Sequence, residues 1–466
     1  MSNRACLTYV AGDVTSYQVV KYSFQGKDYT SFFSAHALWS ALDPEETVAL
    51  LPDSLISANC DNKEVVKKAY KDMLTTRAHE LQQKQGFDPV STKFNEFLDG
   101  MKVEYIPNVG VGSGMVADCE GNLSRDKDGR PIRQPYSSSR DPTFIYNAVF
   151  AVLHRYHSEG CGKFIVDLTH GTNVLVSALL ASSALFESDI YAAPVMGSPS
   201  GVVEIVGLSN IVEAMKDSLK IGLSIEMMDE RYSVDYTGRL RDLNPTEFGR
   251  SRELVNRVKR VDLNKVNDFL WNMRNGFVVN GIASMRDLQQ YIPQLRQDFL
   301  SLRDLYLTWY NAEPRFQKES RIVLSNFSST LGIEGVLNSL LGKDDIETLF
   351  KALEKYIEVE YYDKALSLAR ELPVAECLSN HGGGTFDDND RMYRLCEDLV
   401  GSYIELNNSD FQKFRNLLMH SGLSKDLRVK VDKRGVTPTQ NINRRTIVDY
   451  VKGKLKDHAE GVRRIT

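Results

Sequence analysis

Two architectures follow one another in this sequence: an α/β half built on a doubly wound parallel sheet, then an all-α half. Over the first 210 residues, short apolar runs alternate with amphipathic stretches of helical period. Strands crossed over by helices leave that pattern. From about residue 211 only the helical period remains. Several apolar runs of the first half end in small polar turns, and ligands of open α/β sheets bind beyond the carboxyl ends of the strands.

ACLTYV (5–10) predicts the first strand, closed by Gly12-Asp13, and SFFSAHALWSAL a helix. TVALLPDSL is a second strand with its turn, and VVKKAYKDMLTTRAHELQQKQ a helix. MKVEYIPNVGVGSG reads as a third strand running into a glycine-rich loop, Gly110 to Gly114. Residues 117–141, polar and rich in Gly, Pro and Ser, read as an inserted loop or hairpin. DPTFIYNAVFAVLHRYH opens a helix with aspartate as N-cap and proline at the first position. KFIVDLTHG is a fourth strand ending in a polar turn, NVLVSALLASSALF the next helix, and GVVEIVGL the final strand. In the second half RELVNRVKRVDLNKVNDFLWNM, RDLQQYIPQLRQDFLSLRDLYLTWY, DDIETLFKALEKYIEVEYYDKALSLAREL, RMYRLCEDLVGSYIEL and SDFQKFRNLLMH all read as helices. SNHGGGTFDDND is a helix–helix linker.

The chain has 466 residues, 42% hydrophobic and 26% charged, as in a globular protein with sizeable cores. Its formal net charge of −5 hides a gradient: residues 425–466 carry +7, leaving −12 on the rest. A basic segment of this kind is a solvated surface or a partner for a polyanion. Cysteines 6, 60, 119, 161, 377 and 396 are scattered, with no CxxC and no Cys/His cluster at zinc spacing. The expectation is a reduced, cytoplasmic setting with no metal. The N-terminal apolar run is too short for a signal peptide and no apolar run is long enough to span a membrane.

Three motifs fail. GCGKF (160–164) lacks the first glycine and the hydroxyl residue of a phosphate loop, GVGSG is not GxGxxG, and HGGG (381–384) has no GxSxG elbow to serve. Two survive. DLTHGTN (167–173) ends a strand at the start of a helix and offers backbone N–H groups, a hydroxyl and an imidazole to a phosphate or a base; the plain alternative is a capped tight turn. In DFQKFRNLLMH, Phe411, Phe414, Leu417 and Leu418 share one arc of an ideal helix, while Arg415, Asn416 and His420 lie on the other side. Read plainly, that is a solvated face. Read functionally, Arg415 supplies a cation to a phosphate's developing charge, His420 moves or positions a proton, and Asn416 orients the histidine or binds the phosphate.

RNLLMH is similar to the R-x4-6-H motif of HEPN ribonucleases, and DLTHGTN at a Rossmann-like strand end resembles the ligand loop of CARF domains. Together, in this order, they resemble the CRISPR-associated accessory ribonucleases of type III systems over essentially the whole chain. The resemblance implies a CARF-like sensor over 1–210, a helical linker over 211–330 that matches no motif, and a HEPN-like ribonuclease over 331–466. It implies a homodimer or higher homo-oligomer, switched on by a cyclic oligoadenylate (cyclic tetra-adenylate favoured), that cuts single-stranded RNA without a metal or other cofactor. Arg415, Asn416 and His420 take the catalytic positions. Thr169, His170, Gly171 and Asn173 take the ligand turn, with Gly12, Asp13, Gly112 and Ser113 at the other lips of the crevice. The alternatives are a ligand-sensing transcription regulator whose middle helices bind DNA, and an inert dimerising scaffold. The first of these gives Arg415 and His420 no role.

Overall fold

The computed structural model describes residues 4–58, 60, 62–195, 201–419, 429–432, 435–438 and 444–463. The chain divides into two compact units, Met1–Glu213 and Ala214–Thr466.

The first unit contains β1 (Arg4–Val10), β2 (Val20–Phe24), β3 (Lys27–Ser31), α1 (Ser34–Leu42), β4 (Glu46–Pro52), β5 (Ile56–Ala58), α2 (Lys63–Gln85), α3 (Phe94–Gly100), β6 (Met101–Ile106), β7 (Gly110–Ala117), β8 (Arg133–Ser138), α4 (Pro142–Ser158), β9 (Cys161–Asp167), α5 (Asn173–Ser183), β10 (Ser188–Ala192), β11 (Val202–Glu204) and β12 (Val206–Gly207). The main sheet has the order β12-β10-β9-β1-β4-β6. All of its strands are parallel except β12, which pairs antiparallel with β10. Both faces are covered, so the central strands are continuous apolar runs whose alternate residues enter opposite cores. Leu7, Tyr9, Ala49 and Leu51 enter one core, and Cys6, Val10, Val48 and Leu50 the other. β1 lies between β4 and β9, so the strand order reverses there, and the crevice beyond such a reversal is where ligands bind.

Three sequence expectations are corrected here. Gly110–Ala117 is not a loop but strand β7, paired antiparallel with β8 from the inserted segment. Gly114 makes this possible, since a Cβ there would stand 2.6 Å from the Ser54 carbonyl oxygen. GVVEIVGL is not one strand: β11 joins β2 and β3 in a small sheet, β12 edges the main sheet, and the fifth parallel strand is β10, too short and polar to stand out. The cysteines, remote in sequence, come together in space: Cys6 is bonded to Cys161 between neighbouring strands, and Cys377 to Cys396 between helices. His381 joins the second pair, although the sequence shows no Cys/His cluster at zinc spacing.

α6 (Ser209–Glu226) spans the division between the units. The second unit continues with α7 (Arg252–Lys259), α8 (Asn264–Arg274), α9 (Val278–Leu307), α10 (Pro314–Gln317), α11 (Leu324–Leu331), α12 (Ile333–Leu340), α13 (Asp345–Glu358), α14 (Tyr362–Asn380), α15 (Arg391–Asn407), α16 (Ser409–Met419), α17 (Arg444–Tyr450) and α18 (Lys456–Arg463). One hydrophobic cluster runs through them from Ile221 to Ala459. The helices are interrupted by a hairpin of β13 (Val429–Asp432) and β14 (Gly435–Pro438), which the helical reading of this segment did not contain. None of the described helices is long and apolar enough to cross a membrane.

Candidate functional site

The turn after β9 is built around Asp167. Its buried carboxylate accepts hydrogen bonds from Ser34 Oγ (2.6 Å), the Thr169 amide (2.9 Å) and the Thr169 hydroxyl. The same hydroxyl accepts from the Ala193 amide (2.8 Å), so Thr169 locks the turn to the end of the neighbouring strand. Gly171 follows at φ +123°, and a Cβ there would stand 2.9 Å from Val10 Cγ1. Glycine therefore lets the turn fold onto the end of β1. A Cβ on Gly12 would stand 2.6 Å from the Tyr17 hydroxyl.

These close approaches bring His170 against Tyr17. The rings stack with centroids 4.8 Å apart, and the Tyr17 hydroxyl lies 2.9 Å from His170 Nδ1. Burial pushes Tyr17 up to about 12, and burial holds His170 below its ordinary range despite nearby Asp167. Both are thus neutral at neutral pH. The two groups share one hydrogen bond, whose direction is set by the imidazole tautomer. His170 Nε2 is buried and has no hydrogen-bond partner among the described residues.

Asp13 accepts from the Thr15 amide (3.1 Å) and hydroxyl (2.6 Å) and pairs with Arg133 of β8. Burial opposes its charge, but these hydrogen bonds and Arg133 prevail and hold the carboxyl below the usual value. After β4, Asp53 accepts from the Asn108 amide (2.9 Å), Tyr136 (2.8 Å) and Arg140 (2.7 Å). The Asn108 side chain accepts from the Thr172 hydroxyl (3.2 Å). Thr172 is the N-cap of α5 yet makes no side-chain cap, which leaves the first-turn N–H groups of that helix to other acceptors. Gly171, Thr172 and Asn173 are exposed there. Asn173 also borders a groove of about 450 Å³ between α4 and α5, with Tyr146 and Val174 in its walls.

Of the candidates, Gly12 is thus set against Tyr17 and His170, Asp13 caps the turn after β1, and Thr169, His170 and Gly171 form the turn after β9. Gly112 and Ser113 sit in β7, exposed, in register with Tyr136 and Pro135. Tyr136 ties that hairpin to Asp53 and Asn108. Uncapped amides and paired arginines suit phosphates, while His170 Nε2 and the Asp13 carboxylate suit base or ribose edges.

In the second unit, α16 buries Phe411, Phe414 and Leu417. Phe411 stacks on His458 (4.6 Å) and Phe414 packs on Tyr450 (4.7 Å). Arg415 and Asn416 are half-buried. The Arg415 Nε has no hydrogen-bond partner among the described residues. His420 lies outside the described residues.

Comparison with known proteins bears on the first of these sites. Residues 6–198 match the family model of the CARF domain of Csx1, a CRISPR system endoribonuclease. The first unit is therefore similar to a CARF domain. No curated protein matches the chain. Among solved structures, Enterococcus italicus Csm6 bound to cyclic hexa-2′-fluoro-hexa-dAMP is similar at 11% identity, covering 99% of this chain and 100% of that one. Its TM-score of 0.25 is too low to define a common arrangement.

Sequence reading of the CARF-like unit missed Tyr17, Asp53, Asn108, Arg133 and Arg140. Asp53 follows β4 as Asp13 closely follows β1, and that equivalence was a usable signal. Arg133 reaches Asp13 across 120 residues and Arg140 reaches Asp53 across 87, separations that no spacing argument reveals.

Proposed function

We propose that the chain is a cyclic-oligoadenylate-activated, metal-independent endoribonuclease of type III CRISPR defence. The CARF-type match over residues 6–198 carries the reading, because it falls on the unit whose strand-end turns gather anion- and base-binding groups. In this reading the activator's phosphates meet the first turn of α5 and its bases meet His170, Asn173 and Asp13, with Gly12, Gly112 and Ser113 at the rim. The molecule bound to Enterococcus italicus Csm6 is a cyclic oligonucleotide of the same chemical class.

The cleavage step is assigned to α16 as a helix bearing Arg415, Asn416 and His420. An RNA 2′-hydroxyl attacks the adjacent phosphorus; Arg415 stabilises the developing charge, His420 transfers or positions a proton, and Asn416 fixes one of them. On an ideal helix Arg415 and His420 point about 140° apart. Two copies related by a two-fold axis would compose one groove from both, which favours a homodimer.

The experiment is end analysis of products from single-stranded RNA, with oxidised protein in chelator and cyclic oligoadenylate present. 2′,3′-cyclic phosphate and 5′-hydroxyl ends are expected at a rate chelator does not alter. 5′-phosphate ends, or a magnesium requirement, would contradict the mechanism.

A further inference from the structure

HGGG, which served no motif in the sequence, has a definite place in the fold. It ends α14 directly after the turn that carries Cys377. His381 follows Cys377 by four residues, so both lie on one face of the helix end. Gly382 and Gly383, at φ +92° and +94°, turn the chain back, and the Gly383 amide bonds the Leu378 carbonyl at 2.8 Å. Glycine is needed for that left-handed reversal. It leaves His381 exposed, with Nδ1 2.8 Å from the Cys377 carbonyl oxygen and 3.9 Å from Cys377 Sγ.

Cys396 comes from α15. It is buried, as is Cys377, and their Cα atoms are 5.8 Å apart. One ligand atom from each of Cys377, His381 and Cys396 falls within 4.8 Å of the others. Zinc bound at about 2.3 Å from sulfur and about 2.0–2.1 Å from nitrogen holds tetrahedral donors roughly 3.5–3.8 Å apart. The cluster is therefore close to a ligand set, and the exposed side of His381 gives water access to a fourth position. Ligation through Nδ1 replaces its hydrogen bond to the Cys377 carbonyl.

We propose that Cys377, His381 and Cys396 form a thiol-gated site for a thiophilic divalent cation such as Zn²⁺. In the oxidised form both sulfurs are used by the disulfide and the site is closed. A phosphine reductant opens it: the phosphine gives two electrons to the S–S bond and becomes the phosphine oxide with an oxygen from water, leaving two thiols. Binding of one Zn²⁺ then forms two sulfur–metal bonds and one nitrogen–metal bond and releases the two thiol protons. The disulfide and the metal-bound dithiol each cross-link α14 to α15, which α16 follows, but only the reduced protein takes metal. The inference is independent of the ribonuclease reading, whose chelator assay uses the oxidised protein.

The test is Co²⁺ titration of the full chain carrying Cys60→Ser and Cys119→Ser, before and after phosphine reduction. Expected are cobalt–thiolate charge-transfer bands in the reduced protein only, saturating at one equivalent per chain. They should vanish in Cys396→Ser. Because His381 is exposed, His381→Ala should stay folded by circular dichroism and bind about tenfold more weakly or worse, since loss of an outer partner alone weakens sites by that much. A reduced protein without thiolate bands, or bands unchanged in either variant, would overturn the proposal and leave a disulfide staple only.

Discussion

Arg415 and His420 are the residues on which the chemistry is proposed to rest, and the contacts of α16 explain why Arg415 can be removed cleanly. Its helix is held by Phe411, Phe414 and Leu417 on the other face. Arg415→Ala and His420→Ala should each lower RNA cleavage about a hundredfold or more, the scale for a lost transition-state contact, while circular dichroism stays unchanged. Near-wild-type cleavage in either variant would move the site elsewhere. His36 gives a separate prediction about stability. It is fully buried, bonded to Ser31 Oγ (2.9 Å) and the Thr92 carbonyl (3.0 Å), and burial pushes it down to about 4. As pH falls below the ordinary value, the unfolded chain protonates first. Stability from the neutral ring is thus full above about pH 6.5 and declines toward about pH 4, by about 3 kcal/mol. Urea denaturation should show the advantage of wild type over His36→Gln shrinking across that window; a constant gap would contradict it.

Helix α16 depends on what seats it. Phe414 packs against Tyr450 of α17, and Phe411 against His458 of α18, so the last part of the basic segment folds back onto the proposed catalytic helix. Phe414→Ala should cost about 3–5 kcal/mol. In urea denaturation the loss should fall on the helical unit, with cleavage impaired and oligoadenylate affinity retained. Loss of that affinity instead would mean the two functions are not separable by element. The elements legible in the sequence were those whose burial is continuous. β1, β4 and β9 read as strands because both faces are covered, and α4 because Asp141 and Pro142 announce it. β3, mostly exposed, and β10, five residues long, carry no such run. β7 was hidden by its glycines, which read as a loop although Gly114 serves close packing against Ser54. The turns at Gly12-Asp13 and Asp167–Asn173 were legible because each punctuates a buried strand. Their arginine partners were not, since a hairpin inserted far along the chain delivers them.

For the whole molecule the proposal requires two separable sites and a two-state coupling between them, because a ligand shifts an equilibrium only by its differential affinity for the two states. It also requires two copies to complete the cleavage groove. Mixing wild-type chains with His420→Ala chains should then give much less than half of the activity per wild-type chain, whereas strictly proportional activity would mean that each chain carries a complete site. The most direct measurement is cleavage of labelled single-stranded RNA by oxidised protein in chelator, titrated with cyclic oligoadenylate, for wild type, His170→Ala and Arg415→Ala, with calorimetric binding alongside. Wild type should be activated. His170→Ala should need about ten- to hundredfold more activator, corresponding to roughly 1.4–3 kcal/mol of lost contact, yet reach cleavage. Arg415→Ala should bind activator normally and not cleave. A wild-type protein that binds no cyclic oligoadenylate, or that cuts RNA equally well without it, would contradict the account.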